Sequence, residues 1–369
     1  MTIFIAIASL LSLILGHDEA EIVFAGDAMM HTLQIEVSKQ KDGGYDFSEC
    51  FAEIDSYIRS ADYAVVNLET PVSQPPYSGY PRFNAPATYL DALKDAGFDL
   101  FLTANNHTLD RADEGLCNTI DSLEARHLDH IGTYKSDSAR HATVPFIRNI
   151  NGIKIGFLNY TYGTNGLLPK TDVKVDYINR EQIRRDVEAT RNAGAEYIFA
   201  CIHWGDEYKL LPNKVQCELG LFLHEIGVDA VIGSHPHVIQ PIELKDGRLT
   251  VYSLGNFISN MLTRDTRGGA LVRVVVKRDT HGNVRLADAS YRLVFTEPPS
   301  GNHNFRLQWV DKSSDYRAKL FAQSARAIFR QHNIGISEDL SEQSHPLTVL
   351  FRFAAVLAGY PCDDNHFNF

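Results

Sequence analysis

Residues 229–257 read DAVIGSHPHVIQPIELKDGRLTVYSLGNF. Asp229–Ile232 is a short apolar run of strand length, and it stops at Gly233-Ser234-His235-Pro236-His237. Two imidazoles flank a proline there, and the fixed φ of that proline stiffens the turn that carries them. Thr250–Ser253 is a second apolar run, and it breaks at Leu254-Gly255-Asn256-Phe257. Each strand ends in residues able to bind or to react.

The same pattern recurs upstream. Glu21–Gly26 runs into Asp27, Tyr63–Asn67 into Leu68-Glu69, and Phe98–Thr103 towards Asn105-Asn106-His107. Ile153–Asn159 is followed by Tyr162-Gly163-Thr164-Asn165-Gly166, and Tyr197–Ile202 by His203-Trp204-Gly205. Between the strands lie helical patterns. Ser48–Ser60 puts Phe51, Ile54 and Ile58 on one face, Tyr89–Ala96 stops at Gly97, and Lys214–Ile226 stops at Gly227. Asn179, with Gln182 three residues on, has the look of an N-cap for a charged helix reaching about Gly194. Strands alternating with helices predict a layered α/β domain with much parallel pairing. Parallel strands bring their C-terminal ends to one edge, so these scattered residues can converge. From Gly268 the rhythm changes: Ala270–Val276 and Val284–Phe295 read as antiparallel strands joined by a turn at Asp279–Asn283. Glu297–Asn304 reads as a linker, ahead of helices at Asp315–His332 and His345–Gly359.

Composition narrows the class. The chain has 369 residues, 44% hydrophobic and 22% charged, ordinary for a globular protein with a large core. A formal net charge of −11 without a Lys/Arg run argues against nucleic acid as a partner. Bound divalent cations would still allow an anionic ligand, because they would dominate the local field. Cys50, Cys117, Cys201, Cys217 and Cys362 lack the CxxC spacing of a zinc knuckle and form no evident disulfide framework. Ile3–Leu15 is an apolar run too short to span a bilayer but of the length of a signal-peptide core, so residues 1–17 are expected to direct export. No lysine or arginine precedes that run.

The residue types fit two divalent metals. Asp27 suits a terminal anionic ligand and Glu69 a bridging one. Asn106, His203, His235 and His237 complete mixed nitrogen and oxygen spheres, which favour Mn, Fe or Zn over Ca. Two such cations would acidify a bridging water and clamp the attacking and leaving oxygens of a displacement. Arg82, Tyr162, Asn165 and Asn256 are candidate substrate contacts, with Trp204 and Tyr208 as candidate walls of a cleft.

The ordered set of Gly26-Asp27, an acidic residue at 69, Asn106-His107, His203 and Gly233-x-His235-x-His237 resembles the calcineurin-like metallophosphoesterase superfamily. More narrowly, with Asn67-Leu68-Glu69, Asn105-Asn106-His107, the Tyr162–Gly166 stretch and Ser253–Phe257, it resembles the CapA family of poly-γ-glutamate capsule biosynthesis proteins. The likeness covers roughly residues 21–295. It implies a layered α/β/β/α sandwich of the metallophosphoesterase type over residues 18–296, with a small C-terminal helical extension over 297–369. It also implies Asp27 on metal one, Glu69 bridging, Asn106, His203 and His235 on metal two, and His237 back on metal one. His107 is then free to act as a general acid or to orient the leaving group. In two places the chain departs from the pattern. Met29 stands where a first-strand histidine is usual, with His31 the only nearby substitute, and the bridging carboxylate is the longer Glu69.

Three functions follow as expectations. The first is a metal-dependent hydrolase, carrying one or two divalent ions, in synthesis, export or processing of an anionic polymer such as poly-γ-glutamate. The second is a non-catalytic polymer-binding component working with membrane parts of a capsule synthase. The third is a metal-dependent phosphodiesterase.

Overall fold

The computed structural model describes residues 18–301 and 303–340. The apolar run at 3–15 and the expected helix at 345–359 lie outside the described residues. In chain order the strands are β1 (Glu19–Ala28), β2 (Tyr63–Leu68), β3 (Leu100–Leu102), β4 (Asp129–Ile131), β5 (Thr133–Tyr134), β6 (Phe146–Ile150), β7 (Ile153–Thr161) and β8 (Lys174–Val175). There follow β9 (Tyr197–His203), β10 (Ala230–Ser234), β11 (Ile242–Lys245), β12 (Arg248–Val251), β13 (Asn256–Ile258), β14 (Gly268–Arg278), β15 (Val284–Glu297) and β16 (Arg306–Trp309).

Two sheets face each other. The first runs β16-β15-β14-β1-β2-β3-β4, with β13 alongside the end of β1, and the second runs β11-β12-β10-β9-β7-β6. β1 to β4 are mutually parallel, as are β7, β9, β10 and β12. Between the sheets, Ile22, Phe24 and Val65 share one core with Phe157, Phe199 and Ile232. On the outer face of the first sheet, Val23, Ala25 and Val66 pack on Ile54, Ile58, Leu90 and Leu93 of the helical segments. On the outer face of the second, Ile198, Ala200 and Val231 pack on Ile183, Val187, Leu219 and Leu223. The order helix, sheet, sheet, helix is the α/β/β/α sandwich expected from the sequence.

Side-chain alternation along each strand aims the site residues. Val65, then Asn67 and Glu69, lie on the inter-sheet side of β2 and its extension, as do Phe199, Cys201 and His203 of β9. The same inward column is apolar in mid-strand and becomes ligand-bearing at the end. β1 needs one correction to that rhythm. Ile22 and Phe24 face the inter-sheet core while Val23 and Ala25 face the helices, so plain alternation would send Asp27 outwards. The register against β2 shifts between Ala25 and Asp27. This bulge reverses the parity, puts Ala28 among the helix-facing residues and turns Asp27 inwards. Gly26 sits at the bulge because any Cβ there would lie 2.0 Å from the Gly255 carbonyl oxygen.

Local readings hold with some differences. The Asn179 side chain accepts the Glu181 and Gln182 N–H groups at 3.0 Å each and caps the helix Arg180–Asn192. The helix Thr88–Ala96 ends at Gly97 in a left-handed conformation, φ 108°. Ser48–Ser60 is not one helix but a turn at Ser48–Cys50 and a short helix at Asp55–Arg59. Its apolar face is buried as expected, yet the backbone bends so that Phe51 can stack on Phe257, centroids 5.5 Å apart. The stretch from Glu297 to Ser337 belongs to the main unit. β16 pairs with β15, and the helix Tyr316–His332 puts Ala318, Phe321, Ala322 and Phe329 into the inter-sheet core. The compact unit therefore runs to Ser337, beyond the boundary at 296 read from the sequence, because apolar spacing along that helix requires a sheet to cover it. A second unit begins at Glu338. Cys50, Cys117, Cys201 and Cys217 are free thiols. Among the described residues no helix is long and apolar enough to cross a membrane.

Candidate metal centre

The strand ends meet where the two sheets abut. Lateral pairing sets two rows: Asn256, Asp27 and Asn67 in the first sheet, and Thr161, His203 and Ser234 in the second. Between them lie two sets of ligand atoms, each mutually within 4.8 Å: Asp27, Glu69 and His203, and Glu69, His235 and His237. All five residues are buried. Glu69 is common to both sets, and its Oε1 lies 3.6 Å from His203 Nε2 and 3.7 Å from His237 Nε2. That oxygen has no hydrogen-bond partner, nor has His235 Nδ1. A native fold rarely leaves such buried atoms unpaired unless something else satisfies them. Asn106 Oδ1 is 2.9 Å from His203 Nε2, so the amide oxygen joins the cluster from the turn after β3.

Neighbouring groups hold these atoms in place. Asn67 Nδ2 donates to Asp27 Oδ1 at 2.8 Å and also lies 3.4 Å from Glu69 Oε2. The other Asp27 oxygen accepts from the His235 backbone N–H at 3.3 Å and meets His237 Nδ1 at 3.1 Å. His237 Nδ1 is also 3.1 Å from Asn256 Oδ1, and His203 Nδ1 is 3.2 Å from Ser234 Oγ. Orientation of imidazoles through their second nitrogen is the usual support of a metal site. His235 and His237 adopt left-handed backbone with φ of 101° and 57°, a cost borne at the residues that face the cluster.

Burial dominates the electrostatics. It pushes the Glu69 pKa well above the carboxylate range, with the nearby Asp27 charge adding to the effect. Burial pulls His235 down to about 3, and His203 well below its ordinary value, with the neighbouring imidazoles contributing. Without cations, burial therefore disfavours charge on Glu69, His203 and His235. Neutral imidazoles are ligands, and a dication would invert the preference at Glu69. The donor set therefore fits divalent metal.

The other expected residues divide. His107 is buried, its Nδ1 2.7 Å from Asp110 Oδ2, and the Phe83 N–H donates to that same oxygen at 2.8 Å. Tyr162 is half-exposed and lies over His235, centroids 4.6 Å apart. Asn165 Oδ1 accepts from Asn106 Nδ2 at 3.4 Å. Arg82 is exposed beside Phe83, whose ring packs on His107 at 4.6 Å. Asn256 is not placed for substrate. It is fully buried, spans His237 and the Thr266 carbonyl, and acts as a brace. Trp204 is no cleft wall either, since it is buried with Nε1 donating to the Tyr252 carbonyl at 2.9 Å, whereas Tyr208 is exposed 6.2 Å from His237. His31 stands outside both ligand sets, its Nδ1 near Gln34 Oε1 and the Asn260 N–H. Met29 is buried core. Asn67 and Asp110 escaped the sequence reading. Only parity along β2 marks Asn67 as inward-facing, and only the i+3 spacing from His107 marks Asp110.

Comparison with known proteins adds a family. Residues 21–261 match the model of the bacterial capsule synthesis protein PGA_cap. The PGA biosynthesis protein CapA of Bacillus subtilis is 29% identical over 278 residues, covering 71% of this chain and 69% of that protein. The capsule biosynthesis protein CapA of Bacillus anthracis is 25% identical over 268 residues, covering 70% of this chain and 64% of that protein. A calcineurin-like phosphoesterase of Bacillus subtilis superposes with a TM-score of 0.45 at 13% identity, over 84% of this chain and 97% of the other.

Proposed function

The chain belongs to the bacterial capsule synthesis protein PGA_cap family, and we propose that it serves poly-γ-glutamate capsule formation as a metal-dependent hydrolase-type protein. The observation that carries the metal half of this reading is Glu69 Oε1: fully buried, unpaired, and nearly equidistant from two imidazole nitrogens. The family carries the polymer half. Export to the cell surface is part of the proposal and rests on the apolar run at 3–15 alone.

In this reading Asp27, Glu69, Asn106, His203, His235 and His237 would hold the divalent ions, Glu69 belonging to both ligand sets. Bound divalent metal would supply an electrophile and lower the pKa of a coordinated water. The chain supplies the rest. Asp110 fixes the His107 ring through Nδ1, leaving Nε2, which has no hydrogen-bond partner among the described residues, to give a proton to the leaving atom. Tyr162 and the loop carrying Asn165 cover one side of the site, and Asn67 keeps the Asp27 and Glu69 carboxylates apart yet jointly bonded.

One observation favours a second reading, in which a single metal grips the polymer without turnover. Met29 is sealed in the core where the family resemblance calls for a ligand histidine, so the Asp27 side offers fewer donors. Metal analysis of purified protein, together with assays on γ-glutamyl peptides and model phosphodiesters, separates the readings. Two metals with peptide cleavage support the hydrolase, and one metal with binding alone supports the gripping role. Failure to bind transition metal, with His235→Ala indistinguishable from wild type, overturns both.

A further inference from the structure

Two exposed tyrosines flank the His-Pro-His turn, and ring contacts with the candidate ligands place both of them. Tyr162, the residue after β7, lies over His235 with centroids 4.6 Å apart and is parallel to His203 at 6.3 Å. Tyr208, in the loop after β9, lies 6.2 Å from His237. The two imidazoles are 5.8 Å apart, so the rings run in the order Tyr162, His235, His237, Tyr208. The end rings make no ring contact with each other, and they are 48% and 55% exposed, so each keeps an open face. The imidazoles form the floor between them, with the unpaired Glu69 Oε1 3.7 Å from His237 Nε2.

Tyr208 is costly to keep. Its backbone is left-handed, φ 66°, a conformation that suits glycine and strains a bulky side chain. The ring belongs to none of the apolar cores of the described residues. Its loop is nonetheless fixed on both sides. The Tyr208 N–H donates to the Pro236 carbonyl at 2.8 Å, and the buried Gln240 amide donates to the Lys209 carbonyl at 2.8 Å. Tyr162 is held as firmly, its N–H donating to the His203 carbonyl at 3.0 Å and the Thr161 hydroxyl to the Gly163 carbonyl at 2.9 Å. An exposed ring that strains its own backbone and adds nothing to the core points to a ligand, since such strain collects at binding and catalytic sites.

Uncharged aromatic faces on two sides of the cluster favour a flat group. A secondary amide is planar and can stack on phenol faces, whereas a phosphodiester is tetrahedral at phosphorus and offers no such plane. An amide lying between the rings can turn its carbonyl edge towards the ligand cluster. We propose that Tyr162 and Tyr208 are specificity-determining residues that grip the plane of a γ-glutamyl amide and so set the centre to receive amides in preference to phosphodiesters. This rests on the metal-centre reading above and names the bond class that the centre receives.

The test is calorimetry on the full-length, Mn²⁺-loaded protein with γ-linked triglutamate and with glycerophosphoglycerol, for wild type, Tyr208→Gly and Tyr208→Phe. Tyr208→Gly removes ring and strain together, so it should melt at or above the wild-type temperature yet bind the peptide about fivefold more weakly. Its phosphodiester affinity should change by less than about twofold. Tyr208→Phe keeps the ring and should recover most of the peptide affinity. A glycine variant that binds the peptide as wild type does, or that loses both ligands equally, overturns the inference and leaves the metal-centre reading standing. So does a phenylalanine variant that recovers nothing, or a wild type that binds Mn²⁺ but not the peptide. Failure of wild type to bind Mn²⁺ overturns both. A glycine variant that melts lower removes the strain argument, and Tyr162→Leu, at a position without left-handed backbone, then decides. Loss of peptide affinity alone in that variant supports the inference, and equal loss of both ligands, or none, overturns it.

Discussion

Replacing Glu69 by glutamine separates what this residue costs the fold from what it provides. The carboxyl is fully buried, one oxygen is unpaired and Asp27 lies close by, so ionising it in the metal-free protein is unfavourable. An amide of the same shape cannot ionise. The unpaired position stays unpaired in either residue, so the difference is one of ionisation: in chelator Glu69→Gln should become the more stable protein by up to about 1.4 kcal/mol for each pH unit above the ordinary carboxylate range. The pH dependence gives the sign. With the folded pKa raised above the ordinary 4.5, the carboxyl's contribution is intact below that pH and is lost as pH rises through the folded value. The advantage of the glutamine variant should therefore be small near pH 4.5 and grow towards pH 8. Metal reverses the ranking. At a concentration of 100 times the dissociation constant, wild type should gain about 2.7 kcal/mol from Mn²⁺ or Zn²⁺, and the variant far less. Chemical denaturation with and without metal, at two pH values, measures every term. A variant less stable than wild type in chelator at pH 8, or one that gains as much from metal as wild type, would refute the reasoning.

Three further outcomes follow from the same geometry. His235 has φ of 101°, so His235→Gly should exceed His235→Ala in stability by about 1 kcal/mol in chelator, whereas both lose metal affinity; equal midpoints in urea would dismiss the strain. Asn67→Ala removes the donor at 2.8 Å from Asp27 and should lower metal affinity about 10- to 100-fold, read by competition with a chromophoric chelator; unchanged affinity would make Asn67 a bystander. His235 is held neutral by burial with a pKa of about 3, so its contribution to stability is full above the ordinary 6.5 and drains as pH falls towards 3. The stability difference between metal-free wild type and His235→Gln should shift against wild type across that window, and a flat difference would count against a buried, neutral imidazole.

The strand-end positions of Asp27, Glu69, His203, His235 and His237 were legible in the chain because three regularities are local. Apolar runs mark strands, polar breaks mark their ends, and parallel pairing collects those ends on one edge. Which way each side chain turns at that edge was not local. Asp27 faces the cluster only because β1 bulges at Gly26, and that bulge depends on the backbone of Gly255, more than two hundred residues away. Asn256 and His203 both follow short apolar runs in the sequence, yet one became a buried brace and the other a candidate ligand through the register of β13 on β1 and of β9 on β10. Trp204 went to the core because its indole found the Tyr252 carbonyl, and the helix Tyr316–His332 joined the main unit because the open sheet gap gave its apolar face cover. The sequence by itself determined the elements, the ligand types and their arrival at one edge. Only the tertiary structure decided orientation, since bulges, register and burial are set by contacts between segments that chain order keeps far apart.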